Sequence, residues 1–178
     1  MVTPKQFRSY LVEKNTVEPI AVKFWQNEFG IEIDENNWLT AKKCTTETRL
    51  RLLHWKILHN IYPTNILLSK MGIANNMYCD YCTDEIDYIE HFFYHCKKVS
   101  CIWKYVEDEI YVKFGKTLKI TVHDALIGLQ NNRFSDSFVC HVNHLILIAK
   151  MCIGIYRYGT AFEIKNRFEL ELKIRHLL

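Results

Sequence analysis

Cys79, Cys82, His91 and Cys96 follow the spacing Cys-x2-Cys-x8-His-x4-Cys. A Cys-x2-Cys turn puts two thiolates on one side of a tight knuckle. A His and a Cys shortly downstream can close a tetrahedron around Zn2+. The competing reading, ordinary buried cysteines, suits a lone Cys-x2-Cys better than a set of four. Three thiolates and one neutral imidazole around the dication leave a net charge of about −1 and a closed coordination shell. Closed shells fold chains, whereas catalytic zinc keeps a position for water. The expected cofactor is therefore one structural zinc.

The second half of the motif sets a geometric condition. On an ideal helix, residues five apart stand about 140° out of register, so His91 and Cys96 cannot face one ion from an intact helix. A helix beginning near Asp87 must end or loosen before Cys96. His95, four residues after His91, is better aligned and competes as fourth ligand. Thiolate is the softer donor and matches the other two, which favours Cys96. Tyr78 and Tyr81 could screen the knuckle from water.

Charge is unevenly spread. Residues 80–90 hold Asp80, Asp84, Glu85, Asp87 and Glu90 with no Lys or Arg, a poor surface for phosphate. Residues 42–59 hold Lys42, Lys43, Arg49, Arg51 and Lys56 against Glu47 alone. On the helix expected there, Leu50, Leu53, Ile57 and Ile61 share the core face. Arg49, Lys56 and His59 fall on the other side, beside Trp55. Cations meet phosphates, and an exposed aromatic can stack on an unpaired base. Lys42, Lys43, Arg49, Trp55, Lys56 and His59 are thus the nucleic-acid candidates. The plainer alternative is a solvated helix face with Trp55 in the core, and Leu52 on that side points to partial burial.

The elements that must position these residues read as helices. Thr3-Pro4 with Gln6 opens a first helix to about Asn15, and Pro19 opens a second that Gly30 stops. Asn36 to Cys44 forms a short third. Thr45 or Thr46 caps the basic helix, which Pro63 ends near Asn60. Thr64 caps a short helix that Gly72 terminates, and Asn75-Asn76 marks a turn. Residues 97–114 form another, with Ile102, Trp103, Val106 and Ile110 inward. Thr121 and Asp124 start a short one. From Ser135 to Tyr158, one narrow stripe runs through Phe138, Val142, Leu145, Ala149, Cys152 and Tyr156. In the tail, Thr160 and Glu163 form a capping box, yet Phe168, Leu170, Leu172 and Ile174 alternate as in a strand. The lack of Val and Thr favours helix. The expected fold is mostly α with a small zinc knuckle, in three parts of one continuous domain: 1–72, 73–115 and 116–178.

Composition sets the outer bounds. Of 178 residues, 49% are hydrophobic and 13% aromatic, which a disordered chain lacks. A net charge of +3 does not by itself imply nucleic acid. No signal-peptide core opens the chain, and the longest apolar run, Leu145 to Ile155, contains Lys150. A soluble intracellular protein is the expectation, cytoplasmic or nuclear, and its seven cysteines then point to metal or burial rather than disulfides. His141 and His144 flank the long helix's stripe without an acid, Cys101 and Cys152 read as packing residues, and Cys44 and Cys140 have no evident partner. No nucleophilic triad or phosphate loop is visible.

The stretch from His54 through Trp55-Lys56-Ile57-Leu58-His59-Asn60-Ile61-Tyr62-Pro63 to Thr64 resembles the segment preceding the knuckle in the reverse-transcriptase zinc-binding domain. Cys79-x2-Cys82, then His91-Phe92-Phe93-Tyr94-His95-Cys96, then Trp103, continue that pattern. The domain lies C-terminal to the polymerase in LINE-type, non-LTR retrotransposon proteins. The resemblance implies a non-catalytic accessory domain that binds nucleic acid, RNA favoured over DNA, beside a polymerase domain. It brings no catalytic residue, and the polymerase's Tyr-x-Asp-Asp motif is absent. The alternative function is a zinc-stabilised interaction or structural module, as a truncated or host-retained remnant would be. Neither reading calls for a membrane or a small-molecule substrate.

Overall fold

The computed structural model describes residues 3, 6, 19–130 and 134–177. The chain divides into two compact units, Met1–Glu32 and Ile33–Leu178. In the first, Thr3 and Gln6 exchange the expected capping-box bonds. The remainder of that expected helix lies outside the described residues. Helix α1 (Ile20–Phe29) follows Pro19 and stops at Gly30, whose φ of 66° is the left-handed conformation glycine accepts at little cost. Along α1, the rings of Phe24, Trp25 and Phe29 pack on one another.

The second unit is a helical bundle. It comprises α2 (Glu35–Cys44), α3 (Thr48–Leu58), α4 (Asn65–Lys70), a π turn (His91–His95), α5 (Ser100–Phe114), α6 (Val122–Ile127), α7 (Asp136–Ile155) and α8 (Ala161–Ile174). The mostly α expectation holds, and the tail is helix. Asp34, Thr121 and Thr160 each form a reciprocal capping box, which is why α2, α6 and α8 begin where they do. In α8, Ile164, Phe168 and Leu172 are buried while Leu170 and Ile174 face out. The apparent strand alternation is therefore a helical i, i+4 stripe with two exposed apolar residues interleaved.

Helix α7 is the axis. It packs against α2, α3, α5, α6 and α8. Neighbours on nearly all sides bury Leu145 through Ile153 without interruption, so the expected narrow stripe is instead an almost fully enclosed helix. The helix ends at Ile155, and Tyr156 lies just beyond it. Its length and composition would suffice to cross a membrane, yet most of its surface is buried inside the bundle. A Cβ on Gly154 would lie 2.4 Å from the Tyr62 hydroxyl, so Gly154 admits the tyrosine of the segment leading to the knuckle.

The core of α7 also holds a charge. Lys150 is fully buried, and its ammonium donates to the Leu126 carbonyl at 3.0 Å and approaches His54 Nδ1 at 3.4 Å. His54 Nε2 lies 3.2 Å from the Asn37 carbonyl. One tautomer serves both contacts: Nε2–H donates to Asn37, and Nδ1 accepts from Lys150. This pair ties α2, α3, α6 and α7 together. It also corrects the expected face of α3, where Leu50, His54, Ile57 and Leu58 are buried and Leu53 only half so. Ile61 is exposed, because α3 ends at Leu58 and Asn60 turns the chain at a φ of 52°. Glu47, not a threonine, occupies the N-cap of α3; Thr45 instead accepts from the Glu47 N–H.

Burial pushes the Lys150 ammonium down to about 7. A lysine lowered in the folded state destabilises the fold fully below that pH and recovers as pH rises toward its ordinary value. The Lys150 contribution to unfolding free energy should therefore rise by about 2 kcal/mol between pH 6 and 8.5. Urea unfolding of wild type and Lys150→Met at both pH values reads it as the difference between their slopes. Parallel curves would show that Lys150 is not held as the structure describes.

Candidate metal centre

The knuckle is built by a minimal antiparallel pairing. Tyr78 bridges Ile86, the Cys79 N–H donates to the Glu85 carbonyl at 2.8 Å, and Asp87 N–H donates to Met77 at 2.9 Å. Between these arms, Thr83 at a φ of 57° reverses the chain and donates its N–H back to the Cys79 carbonyl. Cys79 and Cys82 are thereby presented from one tight turn.

The other two donors depend on a change of helix type. A helical turn starting at Ile89 widens into a π turn over His91–His95, and the Cys96 N–H donates to the His91 carbonyl, five residues back, at 2.9 Å. An i→i+5 bond brings residues five apart toward one face, which an α-helix does not. Cys96 then leaves the helix with extended torsions. This resolves the geometric condition read from the sequence: the helix loosens at His91 and ends before Cys96. Cys96 is buried and joins the cluster, whereas His95 points to solvent.

The donor atoms of Cys79, Cys82, His91 and Cys96 all lie within 4.8 Å of one another. The Cys96 sulfur is 3.8 Å from that of Cys79 and 3.7 Å from that of Cys82. Two Zn–S bonds of about 2.3 Å at a tetrahedral angle separate their sulfurs by about 3.8 Å. His91 Nε2 is buried without a hydrogen-bond partner, a cost that a metal bond removes. Burial holds the His91 imidazole below its usual range, which keeps it neutral as a ligand must be, although Asp87 and Glu85 pull the other way. Burial, reinforced by the Cys79 and Cys82 sulfurs, pushes the Cys96 thiol up to about 12. A bound dication reverses that balance and drives a coordinating thiol to thiolate. The chemistry supplied by zinc here is cross-linking of the chain.

The site is backed by aromatic and polar packing that ties it to the bundle. Phe92 and Phe93 of the π turn meet at 4.8 Å, and Tyr62 touches them at 5.2 and 4.7 Å. Trp103 Nε1 donates to the Phe93 carbonyl at 2.9 Å, anchoring the widened turn to α5. The Asp87 carboxylate accepts the Asn65 N–H at 2.7 Å, capping α4 in place of Thr64, and pairs with Arg157 at 3.1 Å. Arg157, just past α7, also donates to the Pro63 carbonyl and the Asn65 side chain, and lies 5.2 Å over the Phe92 ring. Asp87 thus belongs to a buried joint rather than to an acidic surface. Sequence reading missed this joint because Asn65, Asp87 and Arg157 are far apart in the chain and carry no shared motif. Tyr78 and Tyr81 remain about half exposed and do not seal the knuckle.

The other candidates separate clearly. Lys42, Lys43, Arg49 and Trp55 are exposed, and Lys56 and His59 are half-buried. Trp55 is 47% exposed, so it is not a core residue. The His59 ring lies against two indoles in tilted contacts, Trp55 at 4.4 Å and Trp38 at 4.9 Å. His141 packs on Phe114 and His144 Nε2 lies 3.8 Å from Glu47; among the described residues, neither belongs to the metal-ligand cluster. Burial, reinforced by the neighbouring Cys140, pushes the Cys44 thiol up to about 12. Cys152 is buried, while Cys101 is only half so.

The ligand assignment gives a ranked expectation. Cys96→Ser should weaken zinc binding by more than the roughly 10- to 100-fold that loss of an outer-shell partner costs. His95→Ala should leave it within a few-fold of wild type. Competition against a chromogenic chelator measures both, and the opposite ranking would assign the fourth position to His95.

No curated protein matches the chain. The family described as zinc-binding in reverse transcriptase matches residues 9–103, which contain all four clustered ligands. That match spans more than half of the sequence. The chain belongs to the reverse-transcriptase zinc-binding family, and one structural zinc is its cofactor.

Proposed function

We propose that this domain is a non-catalytic, RNA-binding accessory part of a LINE-type reverse transcriptase, and that it acts inside the cell. The surface of α2 and α3 makes the contact. One observation carries the reading. Glu47, the only acid among residues 42–59, is engaged by Arg175 through two bonds of 2.6 Å. The cations around it are therefore left uncompensated by their own segment. Lys42 and Lys43 close α2, which places them where a helix C-terminus favours positive charge. Arg49 and Lys56, seven residues apart on α3, share a face about 10 Å apart along the axis. Such an array suits the regular charge of a phosphate backbone. RNA is favoured over DNA by the aromatic side chains beside it, since sequence recognition in RNA falls on splayed, unpaired bases.

The acidic knuckle argues for a division of labour. Asp80, Asp84 and Glu85 are exposed on it and repel phosphate, so the zinc acts by holding the bundle's geometry. A protein-docking role, with a polymerase domain as partner, draws on a different observation. Tyr158 and Phe162 at the α7–α8 corner are 81% and 69% exposed. The two readings separate by salt. Phosphate contacts weaken steeply as salt rises, and apolar docking does not.

Replacing Arg49 and Lys56 together with Gln should weaken binding to all RNA sequences alike. It should also lower the salt slope by about one to two units, since each phosphate contact contributes roughly 0.7–0.9. Asp84→Asn with Glu85→Gln should leave binding equal or slightly tighter. Fluorescence anisotropy across a salt series tests both. A basic double variant with normal affinity and an unaltered slope would remove α3 as the binding surface and favour the docking role.

A further inference from the structure

A groove between α2 and α3 has chemistry that phosphate binding leaves unused. Its lining includes the apolar Trp38, Leu52, Trp55 and Leu58 and the cations Lys42 and Arg51, and its volume is about 380 Å3. That volume lies within the usual range of small-ligand sites. Leu52 and Trp55 are each about half exposed, so the apolar walls are open to an occupant. His59 touches both indoles, with its ring tilted 47° to Trp38 and 49° to Trp55, and so links the two across the helices. Arg51 is fixed as well, donating from Nε to the Thr45 carbonyl at 2.7 Å and from a terminal nitrogen to the Lys42 carbonyl at 3.4 Å. Among the described residues, no carboxylate lines the groove.

We propose that this groove is a base-stacking site, and that it selects unpaired over paired RNA. The inference rests on the RNA-binding reading above and adds a substrate class to it. An open apolar recess lined by two indoles suits the face of a nucleobase, and the cations in its lining suit the phosphates on either side. A paired A-form helix keeps its base faces inside the stack and offers only phosphates, hydroxyls and base edges. It could therefore engage Lys42, Arg49 and Lys56 but not fill the recess. An apolar peptide would fit the walls equally, but the cations in the lining give it nothing to pair with unless it is acidic. Charge complementarity thus favours nucleic acid.

The experiment compares a fluorescein-labelled, unstructured oligoadenylate with a fully paired RNA duplex of equal length, using the zinc-loaded full chain and anisotropy. Wild type should bind the single strand at least about tenfold more tightly. Trp55→Ala should lose about five- to a hundredfold on the single strand, the range for one stacked base, and change little on the duplex. Trp55→Phe keeps a stacking face and should retain most of the preference, which distinguishes stacking from loss of fold. Leu52→Ser, a change at an exposed wall, should reduce the preference without affecting duplex binding. Equal wild-type affinity for both RNAs, or single-strand binding untouched by Trp55→Ala and Leu52→Ser, would overturn the stacking site. If the Arg49/Lys56 variant still weakens binding in that case, the phosphate surface stands alone. Failure of wild type to bind either RNA would overturn both readings.

Discussion

Two ligands five residues apart must reach one ion, and an α-helix cannot bring them there. The chain meets this condition by widening to an i→i+5 bond between His91 and Cys96. Most of the surrounding structure secures that widened turn. Trp103 takes up the Phe93 carbonyl from α5, Tyr94 donates to the Ile120 carbonyl, and Tyr62 packs on both phenylalanines. Gly154 in α7 is the clearance that lets Tyr62 sit there. A π turn is a costly local geometry that concentrates at functional sites. Here it is retained because it aligns an imidazole and a thiol that the regular helix would hold apart.

The joint beneath the knuckle explains how a small metal site can order a larger surface. Arg157 and Asp87 link the end of α7, the start of α4 and the knuckle in one hydrogen-bonded group. Through Pro63 and Tyr62 the same group reaches the end of α3, the helix that carries Arg49, Trp55 and Lys56. On the opposite side of the segment, Arg175 of the C-terminal tail withdraws Glu47 from the start of α3. Zinc, joint and ion pair therefore all bear on one basic helix, while the acids stay on the knuckle. Lys150 and His54 add a polar contact at the centre of this bundle, with the directional hydrogen bonding that apolar packing lacks.

How much of this could be read in the sequence depends on how local each signal is. Capping boxes at Thr121 and Thr160, the stop at Gly30 and the ligand spacing all lie within a few residues and were legible. The loosening before Cys96 was legible too, because helical geometry is quantitative enough to forbid the alternative. The burial of His54 and the exposure of Ile61 were not. Both follow from where α3 ends and from Lys150, ninety-six positions away in the chain. The Asn65–Asp87–Arg157 joint was hidden for the same reason, since a carboxylate on a knuckle looks like surface charge until its arginine is found. Trp55 stood between core and surface on periodicity alone. Only the position of α2, which brings Trp38 against His59, shows it to be one wall of an open groove.

The central claim is that one zinc is held by three sulfurs and one nitrogen. X-ray absorption at the zinc edge, on protein purified without chelator, tests it most directly. The expected result is one zinc per chain with three Zn–S distances near 2.3 Å and one Zn–N distance of about 2.0–2.1 Å. A shell of two sulfurs and two nitrogens would place His95 in the site and leave the π turn without its purpose. A shell dominated by oxygen, or protein without zinc, would mean that these four residues do not hold a structural zinc.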